Sequence, residues 1–261
     1  MKKKHITPIL LAFIGLATLS FTMAGGITLK LQPKKGQTYN VISKANMMTM
    51  MEVQGQTVNM SQVYETKQSF TAKEVSDAQC VIETQLDALK MSISQMGMKL
   101  EYDSEHPEKT SPMLAGQAQA LGETLKKPVD VVYDALGHLV GDSIDAFQGQ
   151  LKDVIIELPE KALSVGSKWS SKKSQTVSDT EIIANMEYTV TAISKKSVDV
   201  SFTGSVESTE VTGTYNGTAS INPQTGLIMN CTSKSNISMT VNEQGLSIPM
   251  TMVGTTTIEV K

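Results

Sequence analysis

The sequence predicts a β-dominant α+β fold: two related antiparallel curved sheets or half-barrels, with two short helices from the middle of the chain. Three observations predict this fold class. Apolar and polar residues alternate with a period of two near both ends of the chain. Thr, Val and Ser are abundant and turn sequences recur, among them Asn216 with Gly217 and the Pro-Gln-Thr-Gly sequence at 223–226. In the middle of the chain the apolar residues instead follow a helical spacing.

The first 24 residues have the pattern of a secretory signal peptide. Three lysines at 2–4 precede an apolar stretch at 9–21, and small residues at 22 and 24 predict cleavage after Ala24. An uncleaved anchor helix is the alternative, but the stretch is shorter than the roughly 20 residues that a membrane span needs. We therefore expect an exported protein, periplasmic or extracellular in a Gram-negative bacterium, without a membrane span after cleavage.

The charge of the chain argues against a nucleic-acid partner. All 23 basic residues are lysines, and the formal net charge is −3. Cleavage after Ala24 would remove three of these lysines and none of the 26 acidic residues, which leaves a formal charge of −6. An acidic chain without arginine lacks the planar guanidinium that favours contacts with phosphates and base edges.

Alternating segments predict the strands in order. From Tyr39 to Val53 the odd positions are mainly apolar and the even positions mainly polar, which is typical of a strand with one buried side. Residues 91–102 repeat the pattern, with a change of phase near Gln95 that we interpret as a β-bulge. Further alternating segments occur at 186–192, 198–206, 237–241 and 248–252.

The middle of the chain predicts two helices and a hairpin. Apolar residues follow a helical spacing over 111–125, where Pro112 is tolerated in the first turn. A second helix is expected over 143–154, and a short hairpin over 129–137 separates the two.

A weak internal duplication suggests two halves. Gly36 to Tyr39 and Gly166 to Trp169 each place a glycine three residues before an aromatic residue, at the start of a β region. The predicted organisation is therefore a signal peptide at 1–24, an N-terminal β-rich half with both helices at 25–157, and a C-terminal β-rich half at 158–261.

The segment LPEKALSVGSKW, Leu158 to Trp169, and the Tyr-Asp-Ser sequence at 102–104 resemble a family of exported Bacteroidota proteins that is a domain of unknown function. The resemblance covers essentially the whole mature chain. It implies the layout of the fold and an envelope location, and it brings no catalytic residues. Members are distantly similar to half-barrels of the lipoprotein-carrier type, which hold acyl chains in an apolar concavity. Residues 142–144, Asp-Ser-Ile, resemble O-glycosylation sites of this bacterial group, although helix capping explains the same residues.

Few residues are arranged for catalysis or metal binding. After signal cleavage His106 and His138 are the remaining histidines, and neither lies in a nucleophile or zinc motif. Cys80 and Cys231 would meet an oxidising compartment, where they either form a disulfide or remain two buried thiols. We expect no catalytic constellation, no metal site and no cofactor, and therefore no enzyme.

Methionine is the unusual residue, with 16 in the chain, including Met-Met-Thr-Met-Met at 47–51 and Met-Gly-Met at 96–98. Three interpretations are open: a thioether site for Cu(I), an adaptable apolar cavity, or simple filling of a core that is poor in aromatic residues. Alternation places the first and last methionines of 47–51 on one face of a strand and the inner two on the other. Those four therefore cannot converge on one ion from a regular strand.

These observations predict a non-enzymatic envelope protein that binds a hydrophobic or amphiphilic ligand, such as a lipid, in a methionine-lined concavity. The alternative is a structural or protein-interaction domain with a dry core and no small ligand. A continuous cavity beside the methionines would favour the first interpretation, and tight packing of the same residues would favour the second. Trp169 also suits a structural anchor. The candidate ligand-lining residues are Met47, Met51, Met98, Met250 and Trp169.

Overall fold

A single large antiparallel sheet, curved but not closed, forms most of the molecule. The computed structural model describes residues 26–53, 55–141, 155–177, 180–208, 210–243 and 246–261. Within these ranges the sheet has eleven strands. They are β1 (Thr38–Val53), β2 (Gln56–Val75), β3 (Gln79–Gln95), β4 (Met98–Asp103), β5 (Val129–Asp134), β6 (Lys168–Val177), β7 (Thr180–Ile193), β8 (Val198–Glu207), β9 (Val211–Ile221), β10 (Ile228–Glu243) and β11 (Leu246–Val260).

The order of strands across the sheet is β4-β3-β2-β1-β11-β10-β9-β8-β7-β6, and β5 pairs with β3 beyond the end of β4. Most neighbours in the sheet are also neighbours in the chain, joined as hairpins. The exceptions are the short β3–β5 ladder and the long ladder between β1 and β11, which runs from Val41 opposite Val260 to Met51 opposite Met250. The expectation of two sheets is therefore wrong, because this ladder joins the strands of both halves into one sheet.

The prediction of two short helices is not confirmed. A 3-10 turn, Pro112–Leu114, leads into α1, Ala115–Thr124, which lies within the first predicted helix. The second predicted helix, at 143–154, lies outside the described residues, and so does Ser143 with its glycosylation pattern. The signal peptide at 1–24 is outside them as well.

Two local predictions were wrong for reasons of backbone geometry. Met96 and Gly97 both have positive φ, 49° and 81°, so the change of phase near Gln95 is a two-residue turn between β3 and β4 and not a bulge. Asn216 and Gly217 lie within β9 and do not form a turn. The turn predicted at 223–226 is confirmed, since it joins β9 to β10.

The hydrophobic core occupies one end of the sheet. Two segments outside the strands cover this end: the N-terminal stretch with Leu29 and Leu31, at most 1% exposed, and the stretch from Ile155 to Leu163. Backbone hydrogen bonds fasten these stretches to each other, where Ile27 and Leu163 exchange two bonds of 2.9 and 2.7 Å. The opposite end, formed by the long β1–β2 and β10–β11 hairpins, has no comparable cover among the described residues.

No helix in the described ranges combines the length and apolar character needed to cross a membrane.

Candidate functional site

The face of the sheet that carries the core continues past the core. On β1, Tyr39 and Val41 are buried in it, and alternation places Met47, Thr49 and Met51 on the same side. We call this side the inner face and the opposite side the outer face. The inner face therefore runs from a closed core at one end of the sheet to a methionine-rich surface at the other.

Directly opposed residues extend this surface across the sheet, because partners in an antiparallel ladder point to the same side. Thr49 lies opposite Met60 on β2 and Met252 on β11. The same row continues to Gln95 and Met98 on one side and to Ile237, Gly213, Val206 and Ala184 on the other. The next row, nearer the hairpin tips, is Val58, Met51, Met250, Met239 and Val211. These members of both rows are uncharged, and the Thr49 row meets its first charged residue at Lys173, opposite Ala184 on β6.

Six methionines on four adjacent strands lie in these two rows and in the neighbouring row on the core side, which contains Met47. Each is partly exposed, so the group is neither a closed core nor a fully solvated surface. We call this group the methionine face: Met47, Met51, Met60, Met239, Met250 and Met252.

Glycines give the larger side chains of the inner face room to lie flat on the sheet. A Cβ on Gly217 would overlap the ring of Phe202 from the neighbouring strand, and one on Gly204 would overlap the sulfur of Met186. Gly254 is opposite Met47, whose Cγ would be 3.4 Å from an added Cβ. A large residue thus covers a glycine on the next strand at three places.

One polar side chain lies buried within the methionine face. Thr49 is only 1% exposed, and its hydroxyl has no hydrogen-bond partner in the described structure. On the same face of β1 the nearest residues are Met47 and Met51, and the residues directly opposite it in the ladders are Met60 and Met252. The methionines therefore shield a hydroxyl that water would otherwise satisfy.

A short hydrogen-bonded chain holds the polar residues beside the methionine face. The Gln62 amide donates from Nε2 to the sulfur of Met60 at 3.4 Å, and the Tyr64 hydroxyl donates to Gln62 Oε1 at 3.1 Å. Partial burial raises the pKa of the Tyr64 hydroxyl above its ordinary value, so this group stays a neutral donor.

The structure brings most of the predicted ligand-lining residues to one face. Met47, Met51 and Met250 belong to the methionine face, and Met98 lies at the end of the Thr49 row, where its side chain is 58% exposed. Sequence reasoning missed Met60, Met239 and Met252. Alternation within each strand was their only signal, and it does not say which strands pair.

Trp169 lies on the inner face near the core and away from the methionine face. Its ring stacks on Tyr188, with centroids 4.9 Å apart, and its Nε1 donates to the Glu157 carbonyl at 2.9 Å. These contacts fasten the stretch before β6 to the sheet, which is the behaviour of a structural anchor.

The outer face of β1 is different in character. Met48 and Met50 are 53% and 39% exposed there, and Val253 lies directly opposite Met48. Charged residues interrupt this side, including an ion pair of 3.2 Å between Lys44 and Glu65. Methionines of the same strand thus occupy two chemically distinct surfaces.

Of the two alternatives for the cysteines, the structure does not contain the Cys80–Cys231 disulfide. Cys80 is on β3 and Cys231 on β10, four strand positions apart in the sheet, whereas a bridge needs Cα atoms within about 7 Å. Burial raises the pKa of the Cys80 thiol to about 11, which makes it a poor nucleophile.

The two histidines in the described ranges lie in exposed turns, where each is close to a carboxylate. Asp134 Oδ1 accepts from the backbone N–H groups of Leu136 and His138, and its Oδ2 is 2.8 Å from His138 Nδ1. His106 lies 3.3 Å from Glu108 in an exposed loop. Within the described ranges, no group of three or more His, Cys, Asp or Glu residues is placed to hold a metal ion.

A cleft of about 600 Å³ opens between α1 and the end of β4. Its lining mixes Tyr102, Ala118 and Leu125 with the polar Thr110 and Lys126. Behind it lies a small second core of Leu89, Tyr102 and Leu114. None of the residues that line the cleft belongs to the methionine face.

Comparisons with known proteins give a partial family match and two remote structural likenesses. Residues 141–228 match a family described as a family of unknown function (DUF6263), which agrees with the expected domain of unknown function. No curated protein matches the chain.

Two solved structures show remote likeness to the chain. A structure described as lipid–protein interactions in lipovitellin has a TM-score of 0.48 and 11% identity, over 87% of this chain and 25% of that chain. An outer membrane channel from Pseudomonas putida F1 has a TM-score of 0.29 and 8% identity, over 88% of this chain and 98% of that chain. This chain thus spans about a quarter of the lipovitellin chain. Both scores are too low to bear on function.

Proposed function

We propose that this protein is an exported, non-catalytic binding protein whose methionine face holds the acyl chain of a lipid or fatty acid. The proposal rests on one observation: from β4 to β7 the inner face continues beyond the closed core as a half-exposed surface whose facing residues in these rows are uncharged. Contiguous apolar surfaces of this kind on soluble proteins mark sites that a partner covers. The signal-like N-terminus supports export to a compartment where lipids must be carried or sensed.

The dimensions of the face suit an extended chain. The Thr49 row from Met98 to Ala184 crosses eight strand spacings of roughly 4.8 Å each, a path of roughly 38 Å. Each buried methylene of a ligand contributes about 0.8 kcal/mol, so ten methylenes contribute about 8 kcal/mol before the cost of association. That is sufficient for reversible binding without any charged contact.

The chemistry of the lining favours a flexible apolar ligand. Methionine side chains are unbranched and polarisable, so they repack around chains of different shape. Gln62 and Tyr64 are already engaged with Met60 and with each other, which leaves few polar groups on this face to direct a polar ligand. The outer face, with Lys44 and Glu65 paired on it, would reject an acyl chain.

The test is native mass spectrometry of the mature chain, exported by its own signal and purified without delipidation. We expect an adduct of lipid or fatty-acid mass, and its mass distinguishes these two sources. In Met51→Lys the adduct should disappear, because a lysine ammonium in the row would have to be desolvated. The matched control, Met50→Lys on the outer face of the same strand, should keep it.

Circular dichroism and urea unfolding of both variants separate loss of ligand from loss of fold. An adduct that survives Met51→Lys in a folded protein would contradict the proposal. So would a ligand-free dimer of the wild-type chain that dissociates in Met51→Lys but not in Met50→Lys. That dimer would assign the methionine face to a second copy and favour the interaction-domain alternative.

A further inference from the structure

The cleft between α1 and the end of β4 has the volume of a small-molecule site. It encloses about 600 Å³, and such sites typically enclose roughly 300–1,000 Å³. One wall is the end of β4 with the loop that follows it, and the other is α1 with the two residues after the helix. Because its lining shares no residue with the methionine face, a ligand here would be distinct from the proposed acyl chain.

Small residues on α1 keep the cleft open. Ala115, Ala118 and Gly122 follow the three- and four-residue spacing of one helix face, and all three line the cleft. A Cβ added to Gly122 would meet no atom within 4 Å. The cleft therefore exists because this face of the helix carries short side chains.

The apolar part of the lining is fixed by packing. Tyr102 is only 5% exposed and belongs to the small core with Leu89 and Leu114, and Ala118 and Leu125 pack against that core. Burial also raises the pKa of the Tyr102 hydroxyl, so this group adds no negative charge to the cleft. The cleft thus offers a preformed surface to the apolar part of a ligand.

The polar part of the lining favours a negatively charged ligand. Lys126 is the one charged residue among the described residues of the lining, and none of these is acidic. Ser104 and Gln119 also line the cleft, and both can donate hydrogen bonds. The Ser104 oxygen already accepts from the Leu89 N–H at 2.9 Å, which leaves its own hydrogen to donate. A carboxylate would meet a cation and donors here, whereas an ammonium group would be repelled.

The acidic residues next to the cleft in the chain are paired with other lysines. Asp103 lies 3.2 Å from Lys90, and Glu105 lies 2.8 Å from Lys67. The hydrogen bond from Lys67 lowers the pKa of the Glu105 carboxyl, so this residue stays charged and engaged. None of the ion pairs formed by the described residues involves Lys126, whose charge is therefore available to a ligand.

The backbone of Lys126 has a conformation that disfavours lysine. Its φ is 61°, in the left-handed region that residues other than glycine rarely adopt. Its N–H donates to the Leu86 carbonyl at 2.8 Å, which fastens the end of the helix to β3. Within the described ranges Met96, in the β3–β4 turn, is the other such residue. Glycine at position 126 would relieve the strain and remove the cation, so this substitution separates stability from binding.

We infer that the cleft binds a small organic carboxylate with a compact apolar body. The carboxylate is held by Lys126 and Ser104, and the apolar body lies against Tyr102 and Leu125. This inference does not rest on the proposed acyl-chain ligand, because the two ligands contact different residues.

The experiment is a fluorine NMR titration of the mature chain with para-trifluoromethylbenzoate and, separately, with its neutral amide. We expect saturable binding of the benzoate and at least about threefold weaker binding of the amide, which cannot form the ion pair. Gly122→Leu should abolish the binding of both probes, because the leucine side chain would occupy the cleft. The matched control is Gly116→Leu in the same helix, where an added Cβ also meets no atom but does not line the cleft. It should bind both probes like the wild type.

Lys126→Gly provides the second test. It should raise the midpoint of thermal unfolding, because glycine adopts a positive φ without strain, and it should bind the benzoate no more tightly than the amide. The control is Met96→Gly, which should also raise the midpoint and keep the preference for the benzoate. A purely structural role of Lys126 would change stability alone.

Absence of saturable benzoate binding by the wild type would overturn the inference. Equal weakening in the two leucine variants would do the same, as would a preference for the benzoate that survives Lys126→Gly. Loss of binding in folded Met51→Lys, with retention in Gly122→Leu, would assign the probe to the methionine face. The lipid adduct is measured in a separate experiment, so this inference and the proposed function can fail independently.

Discussion

At the scale of single residues, Thr49 is one of several buried polar side chains whose environment offers no hydrogen bond. Its small side chain lies below four larger methionines, and its hydroxyl has lost water without gaining a partner in the described structure. Stability alone would favour an apolar residue of the same shape.

Thr49→Val should raise the free energy of unfolding of the ligand-free protein by about 1 kcal/mol, because the isosteric methyl group needs no hydrogen bond. Urea denaturation followed by circular dichroism measures the change. As a control, Thr240→Val at an exposed position of β10 should change stability by less than about 0.5 kcal/mol. A clear loss of stability in Thr49→Val would show that the hydroxyl has a partner in solution.

The residue patterns predicted which side of a strand a methionine occupies, and the structure confirms the separation of Met47 and Met51 from Met48 and Met50. They did not predict that Met60 and Met252 lie beside Thr49. Met60 is placed by the register of the β1–β2 hairpin and Met252 by the ladder to the distant strand β11, and alternation carries no information about register or partner strand.

At the scale of elements, β9 shows how glycine shapes the sheet. Gly217 looked like a turn residue because Asn-Gly is a strong hairpin signal. It instead lies below the ring of Phe202 on β8, close to the carbonyl of Thr232 on β10. Glycines on the inner face permit a sheet to bend toward that face while bulky neighbours cover the gaps. The dipeptide was an ambiguous signal, and the neighbouring strands decided its conformation.

Gly217→Ala should destabilise the protein by about 2 kcal/mol, since the new methyl group overlaps both a backbone carbonyl and an aromatic ring. The same substitution at Gly116 in α1 serves as the control. A Cβ there meets no other atom, and alanine favours the helix, so stability should rise by up to about 1 kcal/mol. Thermal unfolding of the two variants measures both effects. Equal shifts of the same sign would contradict this account of β9.

At the scale of the whole molecule, the β1–β11 ladder decides the organisation of the fold. The sequence showed two β-rich segments and suggested two related sheets, because each segment alternates by itself. It contained no local signal for the ladder, whose strands lie near opposite ends of the chain. The core likewise draws Leu29 and Ile82 from the first predicted half and Ile221 and Ile258 from the second. The fold class and the presence of many strands could thus be predicted from the sequence. The β1–β11 ladder that joins the two segments could not.

The two predicted halves, 25–157 and 158–261, should therefore fail to fold when they are produced separately. Each fragment would expose one side of the β1–β11 ladder and part of the shared core. Hydrogen exchange of each fragment should show little protection, and the whole chain should unfold in urea in one transition. Cooperative unfolding of either isolated fragment would restore the prediction of two independent domains.

The open sheet also has a mechanical consequence. In a closed barrel every strand is bonded on both sides, which fixes the circumference. Here the main ladder ends at β4 and at β6, so small changes of twist at each ladder can tighten or flatten the sheet while every backbone hydrogen bond is kept. The space in front of the methionines is consequently adjustable. Under the proposed function, one set of side chains would enclose a slender molecule or a bulky one, and selectivity would depend on flexibility more than on a fixed outline.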